Sequence, residues 1–137
     1  MKTENEQIVL DFLEAVKSRD IDTIMPFFSE DCIYHNIPLE PVSGTEAIKT
    51  ILQPMCDFSS EVNWKVHDIA QSTTGNVLTE RTDCFIMDGK RVEVPVMGIF
   101  ELKNGKISAW RDYFDANQVG EQLPASFADG WNNQSQK

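Results

Sequence analysis

The sequence has no long hydrophobic run. No stretch approaches the roughly 18 apolar residues that a membrane-spanning helix requires, and the opening MKTENEQIVLDF holds no apolar segment of signal-peptide length. The expectation is a soluble, cytoplasmic protein. Basic residues are also few: 12 Lys and Arg stand against 22 Asp and Glu, giving a formal charge of −10 whose field repels nucleic acid and anionic lipid surfaces. Neither nucleic acid nor membrane is expected as a partner. Cys32, Cys56 and Cys84 are odd in number and widely spaced, so they form no disulfide framework and no CxxC redox pair. All three read as reduced, small apolar residues, with Cys84 in the core. The two histidines, His35 and His67, have no Cys or carboxylate at ligand spacing, so no metal site is expected. A glycine-rich phosphate loop is lacking, and Ser43-Gly44 lacks the flanking glycine of a nucleophile elbow. Covalent serine chemistry has no support, and no cofactor is expected.

What is present organises as one domain over 1–137, with an ordered core over about 5–124 and a polar tail, 130–137, expected to be disordered. Ile8, Val9, Phe12, Leu13 and Val16 recur at helical spacing opposite Glu6, Asp11 and Lys17. A second short helix is predicted to begin at an Asp22 cap and to carry Ile24, Met25, Phe27 and Phe28 inward, with Pro26 tolerable only in a first turn. DCIYHNIP reads as a short strand ended by Pro38. A third helix starts near Thr45, turns Ile48, Ile51, Leu52 and Met55 inward, and is expected to kink or stop at Pro54. From residue 60 the apolar period falls to two, and turn signals at 73–76, 88–90 and 103–105 divide the rest into runs 60–71, 76–87, 91–102 and 106–114. Their short connections make them antiparallel neighbours. The predicted class is α+β: a curved mixed or antiparallel sheet forming a cone packed against three N-terminal helices.

In the run 76–87, Thr79, Arg81, Asp83 and Phe85 share one face. In the run 106–114, Asp112 lies on one face between Trp110 and Phe114, two aromatics poorly suited to face water together. A buried Asp112 requires a counter-ion, and Arg81 is the candidate in the same sheet. Asp83 is then a second carboxylate on one guanidinium. Such a trio can be an ion-pair network that fixes strand register. It can equally be an acid and a base: one arginine between two acids leaves excess negative charge in a dry site, so one carboxyl holds a proton that the other lacks. Tyr34 and Asn36 share a face of the early strand and could hold a water, or could simply form a solvent-facing edge.

The elements YHN (34–36), TERTDCF (79–85), MGIFELKNGKISAW (97–110) and WRDYFD (110–115) occur in an order that resembles the limonene-1,2-epoxide hydrolase family, over about residues 5–124. The resemblance implies the cone of nuclear transport factor 2-like proteins and an Asp-Arg-Asp triad at Asp83, Arg81 and Asp112, with a water held by Tyr34 and Asn36. It further implies cofactor-independent, one-step addition of water to a lipophilic epoxide (terpene, cycloalkene or aryl), giving a vicinal diol without a covalent intermediate. Asp112 would be the base and Asp83 the acid. Met25, Val96, Trp110 and Phe114 are the candidate pocket wall. A homodimer is expected from the resemblance, using a sheet face that carries Ile99 and Leu102.

Two alternatives share this fold. One is a ketosteroid isomerase-like or polyketide cyclase-like proton-transfer enzyme, which has no need of an arginine clamped between two acids. The other is a non-catalytic ligand-binding module, in which the trio is only an ion-pair network.

Overall fold

The computed structural model describes residues 2–127, so the tail expected at 130–137 lies outside the described residues. The chain opens with α1, Glu4–Lys17, whose start is fixed by a capping box: the Thr3 hydroxyl accepts from the Glu6 N–H, and the Glu6 carboxylate accepts from the Thr3 N–H. Its stripe of Val9, Phe12, Leu13 and Val16 is buried. Phe12 sits at the centre of an aromatic cluster and meets Phe27, Phe28, Phe100 and Trp110 edge-on at centroid distances of 5.2–5.9 Å.

The second helix departs from expectation. α2 is a single turn, Ile21–Ile24, and its cap is Asp20, whose carboxylate accepts from the Asp22 N–H. Pro26 then falls in a 3-10 turn, Met25–Phe27, where its fixed φ suits the start and no donor is required. β1 follows as Phe28–Asn36, β2 is the two-residue strand Val42–Ser43, and α3 spans Thr45–Phe58. Of the kink or stop expected at Pro54, the stop does not occur: α3 runs through it. That proline lies on the exposed side of the helix, where the carbonyl left without a donor can turn to water.

The remaining strands are β3, Ser59–Gln71, β4, Val77–Met87, β5, Lys90–Lys103, and β6, Lys106–Tyr113. The β4–β5 and β5–β6 hairpins turn on Asp88-Gly89 and Asn104-Gly105, all four at positive φ, as two-residue hairpin turns demand. The predicted four-strand meander is part of a larger sheet. All six strands form one sheet in the order β2-β1-β6-β5-β4-β3, and β1 runs parallel to β6, which places Tyr34 beside Trp110 and Asn36 beside Asp112. α4, Ala116–Gln122, was not foreseen; its start is capped by the Asp115 carboxylate.

Two apolar clusters fill the concave side. The larger joins α1 and α3 to the sheet around Phe12, Trp110 and Phe100; the smaller packs Val119 and Leu123 on Met87, Val92, Val94 and Val96. The expectation that Ile99 and Leu102 share the outer sheet face fails for Leu102. Leu102 packs against the larger cluster because it stands three residues from Ile99, so strand alternation puts it on the inner face with Gly98 and Phe100, opposite Ile99. Cys84 is buried, as expected, on the face of β4 opposite Arg81, where it pairs across the sheet with Glu93 and Asn63. Among the described residues no helix is long and apolar enough to cross a membrane.

Candidate active site

Strand alternation turns Thr79, Arg81 and Asp83 of β4 inward, and the antiparallel register sets Gly98 of β5 between Thr79 on one side and Asp112 of β6 on the other. Arg81 is 1 % exposed, Asp112 2 % and Asp83 6 %. The guanidinium uses all five of its donors. Nε and Nη2 donate to the two oxygens of Asp83 at 2.9 and 2.8 Å; Nη1 and Nη2 donate to the two oxygens of Asp112 at 3.2 and 2.8 Å; the remaining Nη1 hydrogen reaches the Thr79 hydroxyl at 3.1 Å. An ammonium group has neither the planarity nor the donor count to make this pattern.

The guanidinium can cross from β4 to β6 because β5 carries no side chain between them. A Cβ at Gly98 would stand 2.5 Å from Arg81 Nη1 and closer still to Asp112 Oδ1. Gly98 is therefore a structural requirement of the site that sequence reasoning missed. A lone glycine inside a strand pattern is the signal that could have found it, since it marks a place where another group approaches the backbone.

The two carboxylates are not equivalent. Asp112 accepts a further hydrogen bond from Trp110 Nε1 at 2.7 Å, whereas both bonds recorded to Asp83 come from Arg81. Burial pushes Asp83 up to about 6, against the opposing attraction of Arg81, and the Asp112 charge adds to the rise. For Arg81, burial alone would weaken the proton, but Asp112 and Asp83 outweigh it and hold the guanidinium charged. Burial, reinforced by the Asp112 charge, holds the Tyr34 hydroxyl well above its ordinary range, so it remains a donor; a hydrogen bond with Asn36 acts the other way. The Tyr34 ring is fixed by stacking on Trp110, 4.1 Å between centroids and 12° from parallel.

These groups form the deep end of a cavity of about 640 Å³. Tyr34, Asn36, Asp83 and Asp112 line it at that end, with Trp64, Val94 and Val96 on the sheet, Leu52 and Met55 on α3, and Val119 and Leu123 at the end formed by α4. Of the four expected wall residues, Val96 and Phe114 line the cavity. Met25 and Trp110 do not. Met25 packs against the larger core cluster, and Trp110 is wholly buried beneath the site, where its indole supports Tyr34 and Asp112. His35, to which the sequence assigned no role, bonds from its ring Nε2 to the Leu39 carbonyl at 3.0 Å and so fixes the loop at the cavity rim.

Known proteins resemble this chain in sequence and in fold. The model of the limonene-1,2-epoxide hydrolase catalytic domain matches residues 3–124. The chain is 36 % identical over 113 residues to epoxide hydrolase EphG of Mycobacterium tuberculosis, covering 82 % of this chain and 74 % of that protein. The solved structure of an M. tuberculosis LEH-like epoxide hydrolase superposes with a TM-score of 0.77 at 34 % identity, over 88 % of this chain and 89 % of the other. A SnoaL-like protein from Shewanella denitrificans superposes with a TM-score of 0.79 at only 14 % identity, over 89 % and 98 % of the two chains, which is a likeness of fold alone.

Proposed function

The chain belongs to the limonene-1,2-epoxide hydrolase family, and on that premise we propose that it adds water to a lipophilic epoxide in one step, giving a vicinal diol without a covalent intermediate. The observation that carries the mechanism is the pair of unequal carboxylates on one saturated guanidinium, at the polar end of an apolar cavity. Asp112, with the additional indole donor, holds the negative charge and acts as base. Tyr34, Asn36 and Asp112 hold a water, and Asp112 takes one of its protons as the oxygen attacks an epoxide carbon. Asp83, whose proton burial makes harder to lose, acts in its protonated form and gives that proton to the epoxide oxygen as the carbon–oxygen bond breaks. The attacking oxygen keeps its second proton, the old epoxide oxygen carries that of Asp83, and return of the proton from Asp112 to Asp83 resets the site. Arg81 touches both acids and moves no proton. An isomerase-like or cyclase-like reaction would leave this two-acid clamp without a purpose.

Gas-chromatographic detection of diol from limonene oxide, cyclohexene oxide and bulkier epoxides tests the reading. The unmodified protein should form diol with neither metal nor cofactor added, and Asp112→Asn, Asp83→Asn and Arg81→Lys should each lose about 10²-fold or more. A single turnover in ¹⁸O-water should label the diol and leave the protein unlabelled. Retained turnover in Asp112→Asn, or ¹⁸O in a protein carboxylate, would overturn the mechanism. We also propose that two copies pair through the outer sheet face, where Leu78 opposes Ile99 and Met97 opposes Tyr113; Met97 and Tyr113 are each 49 % exposed. Sedimentation equilibrium of the unmodified protein and of Met97→Lys checks this: only the unmodified chain should weigh as a dimer.

A further inference from the structure

The cavity has a second end, and its chemistry differs from the first. Among its lining residues Glu40, Thr50, Ile51 and Pro54 are exposed, so the mouth lies between the 37–41 loop and α3, while Asp83 and Asp112 lie at the buried end. The loop is firmly placed. The Ile37 N–H donates to the Asp112 carbonyl at 2.9 Å, the Leu39 N–H to the Asn36 carbonyl at 2.7 Å, and the His35 ring holds the Leu39 carbonyl, with Pro38 and Pro41 stiffening the chain on either side of Glu40. Glu40 is thereby fixed at the rim by bonds that begin at the site itself.

Every ionisable carboxylic or basic side chain that lines the cavity among the described residues is an acid: Asp83 and Asp112 inside, Glu40 at the mouth. Arg81 lies behind the two aspartates and is spent on them, and no lysine or other arginine reaches the cavity wall. The volume matters as well. At about 640 Å³ the cavity falls in the ~300–1,000 Å³ range of sites for drug-sized ligands, more room than a ten-carbon epoxide alone requires. A substrate that fills the cavity with its epoxide at the aspartates therefore extends to the rim.

Resting on the hydrolase reading above, we propose that the substrate is an elongated lipophilic epoxide whose far end carries a neutral hydrogen-bond donor or a cation, and that Glu40 is the specificity-determining residue that selects against an anionic end. A hydroxyl or an ammonium can donate to Glu40 beside the Thr50 hydroxyl. A carboxylate there meets like charge on a protein whose formal charge is already −10. Because Glu40 is exposed, its contribution is that of a surface charge pair, about fivefold in affinity for or against a unit charge.

The test uses three chain-matched terminal epoxides of about fifteen non-hydrogen atoms, ending in an alcohol, a primary ammonium or a carboxylate. Turnover is measured with the unmodified protein, Glu40→Gln and Glu40→Lys, and binding is measured in parallel with the three saturated, oxirane-free analogues. The expected order of kcat/KM is ammonium, alcohol, carboxylate, with about fivefold between neighbours carried by KM. Glu40→Gln should compress the order, Glu40→Lys should reverse it, and molar salt should flatten it in all three proteins. Equal use of the carboxylate by the unmodified protein, or an order that Glu40→Lys leaves unchanged, overturns the proposal. Turnover without a charge order removes this inference and leaves the hydrolase reading standing. A charge order among the bound analogues with no diol from any epoxide does the reverse.

Discussion

Replacing Gly98 by alanine should disable the site while leaving most of the fold in place. The added methyl would lie 2.5 Å from Arg81 Nη1, against about 3.4 Å for an ordinary contact, and it would press still harder on Asp112 Oδ1. Something must move by roughly 1 Å. Arg81 cannot yield easily, because Asp83, Asp112 and Thr79 hold it on three sides and it is 1 % exposed. Overpacking of this kind costs about 1–3 kcal/mol, and parting one carboxylate from the guanidinium would raise the loss toward ~3–5 kcal/mol. A displacement of about 1 Å among reacting groups lowers the rate by about 10²-fold. Urea denaturation and diol formation measured on the same preparation read both effects. Gly105→Ala is the control, since a Cβ there meets nothing within 4 Å and its positive φ makes the cost purely one of hairpin backbone. That variant should lose stability and keep its turnover. If Gly98→Ala hydrolyses epoxide within about threefold of the unmodified protein, the crossing of β5 by the guanidinium is not what positions the acids.

Two other perturbations bear on different parts of the site. Asp83 is pushed up to about 6 in the folded protein against 3.8 in its free reference, so the stabilisation tied to its proton is complete below about pH 4 and is lost as pH rises through 6. With ~1.4 kcal/mol for each pH unit between the two values, Asp83→Asn should gain up to about 3 kcal/mol relative to the unmodified protein between pH 4 and pH 7; a flat difference in urea titrations across that range would contradict the assignment. Gln122 of α4 acts like a strand partner for the edge of β5 beyond the end of β6: its Oε1 accepts from the Glu93 N–H at 2.8 Å and its Nε2 donates to the Glu93 carbonyl at 2.9 Å. Gln122→Ala should cost about 1–2 kcal/mol, speed hydrogen exchange at the Glu93 amide, and raise KM while kcat stays within about twofold. A fall in kcat at constant KM would place Gln122 in the chemistry instead of in the support of α4, whose Val119 borders the cavity.

The parts of the site legible in the sequence were those governed by local period. Alternation along β4 puts Arg81 and Asp83 on one face, and the aromatics on either side of Asp112 mark its burial. What alternation cannot say is whether an inward residue meets protein or empty space. Val96 and Trp110 both point inward, yet one borders the cavity and the other lies under Tyr34 with Phe12 edge-on to it. The same limit hid Met25. Non-local pairing was the second blind spot. β1 and β6 are parallel neighbours separated in the chain by residues 37–105, and that pairing brings Tyr34 and Asn36 next to Trp110 and Asp112. The misplacement of Leu102 is of a third kind: Ile99 and Leu102 are three residues apart, and alternation alone puts them on opposite faces of β5.

The fold by itself carries no chemistry, since a SnoaL-like protein at 14 % identity superposes as well as an epoxide hydrolase at 34 %. The distinction lies in how charge is divided. One arginine shared by two aspartates gives the site a single negative charge once one of them is protonated, and the guanidinium alone, bidentate to both, does not decide which. Trp110 decides it. Its N–H gives Asp112 the additional bond that Asp83 lacks, and its buried position is set by Phe12, Phe28 and Phe100 of the main core. The packing of the N-terminal helix against the sheet thus reaches the site directly: the residue that gives the proposed base its additional hydrogen bond is held by the same aromatic contacts that hold the fold.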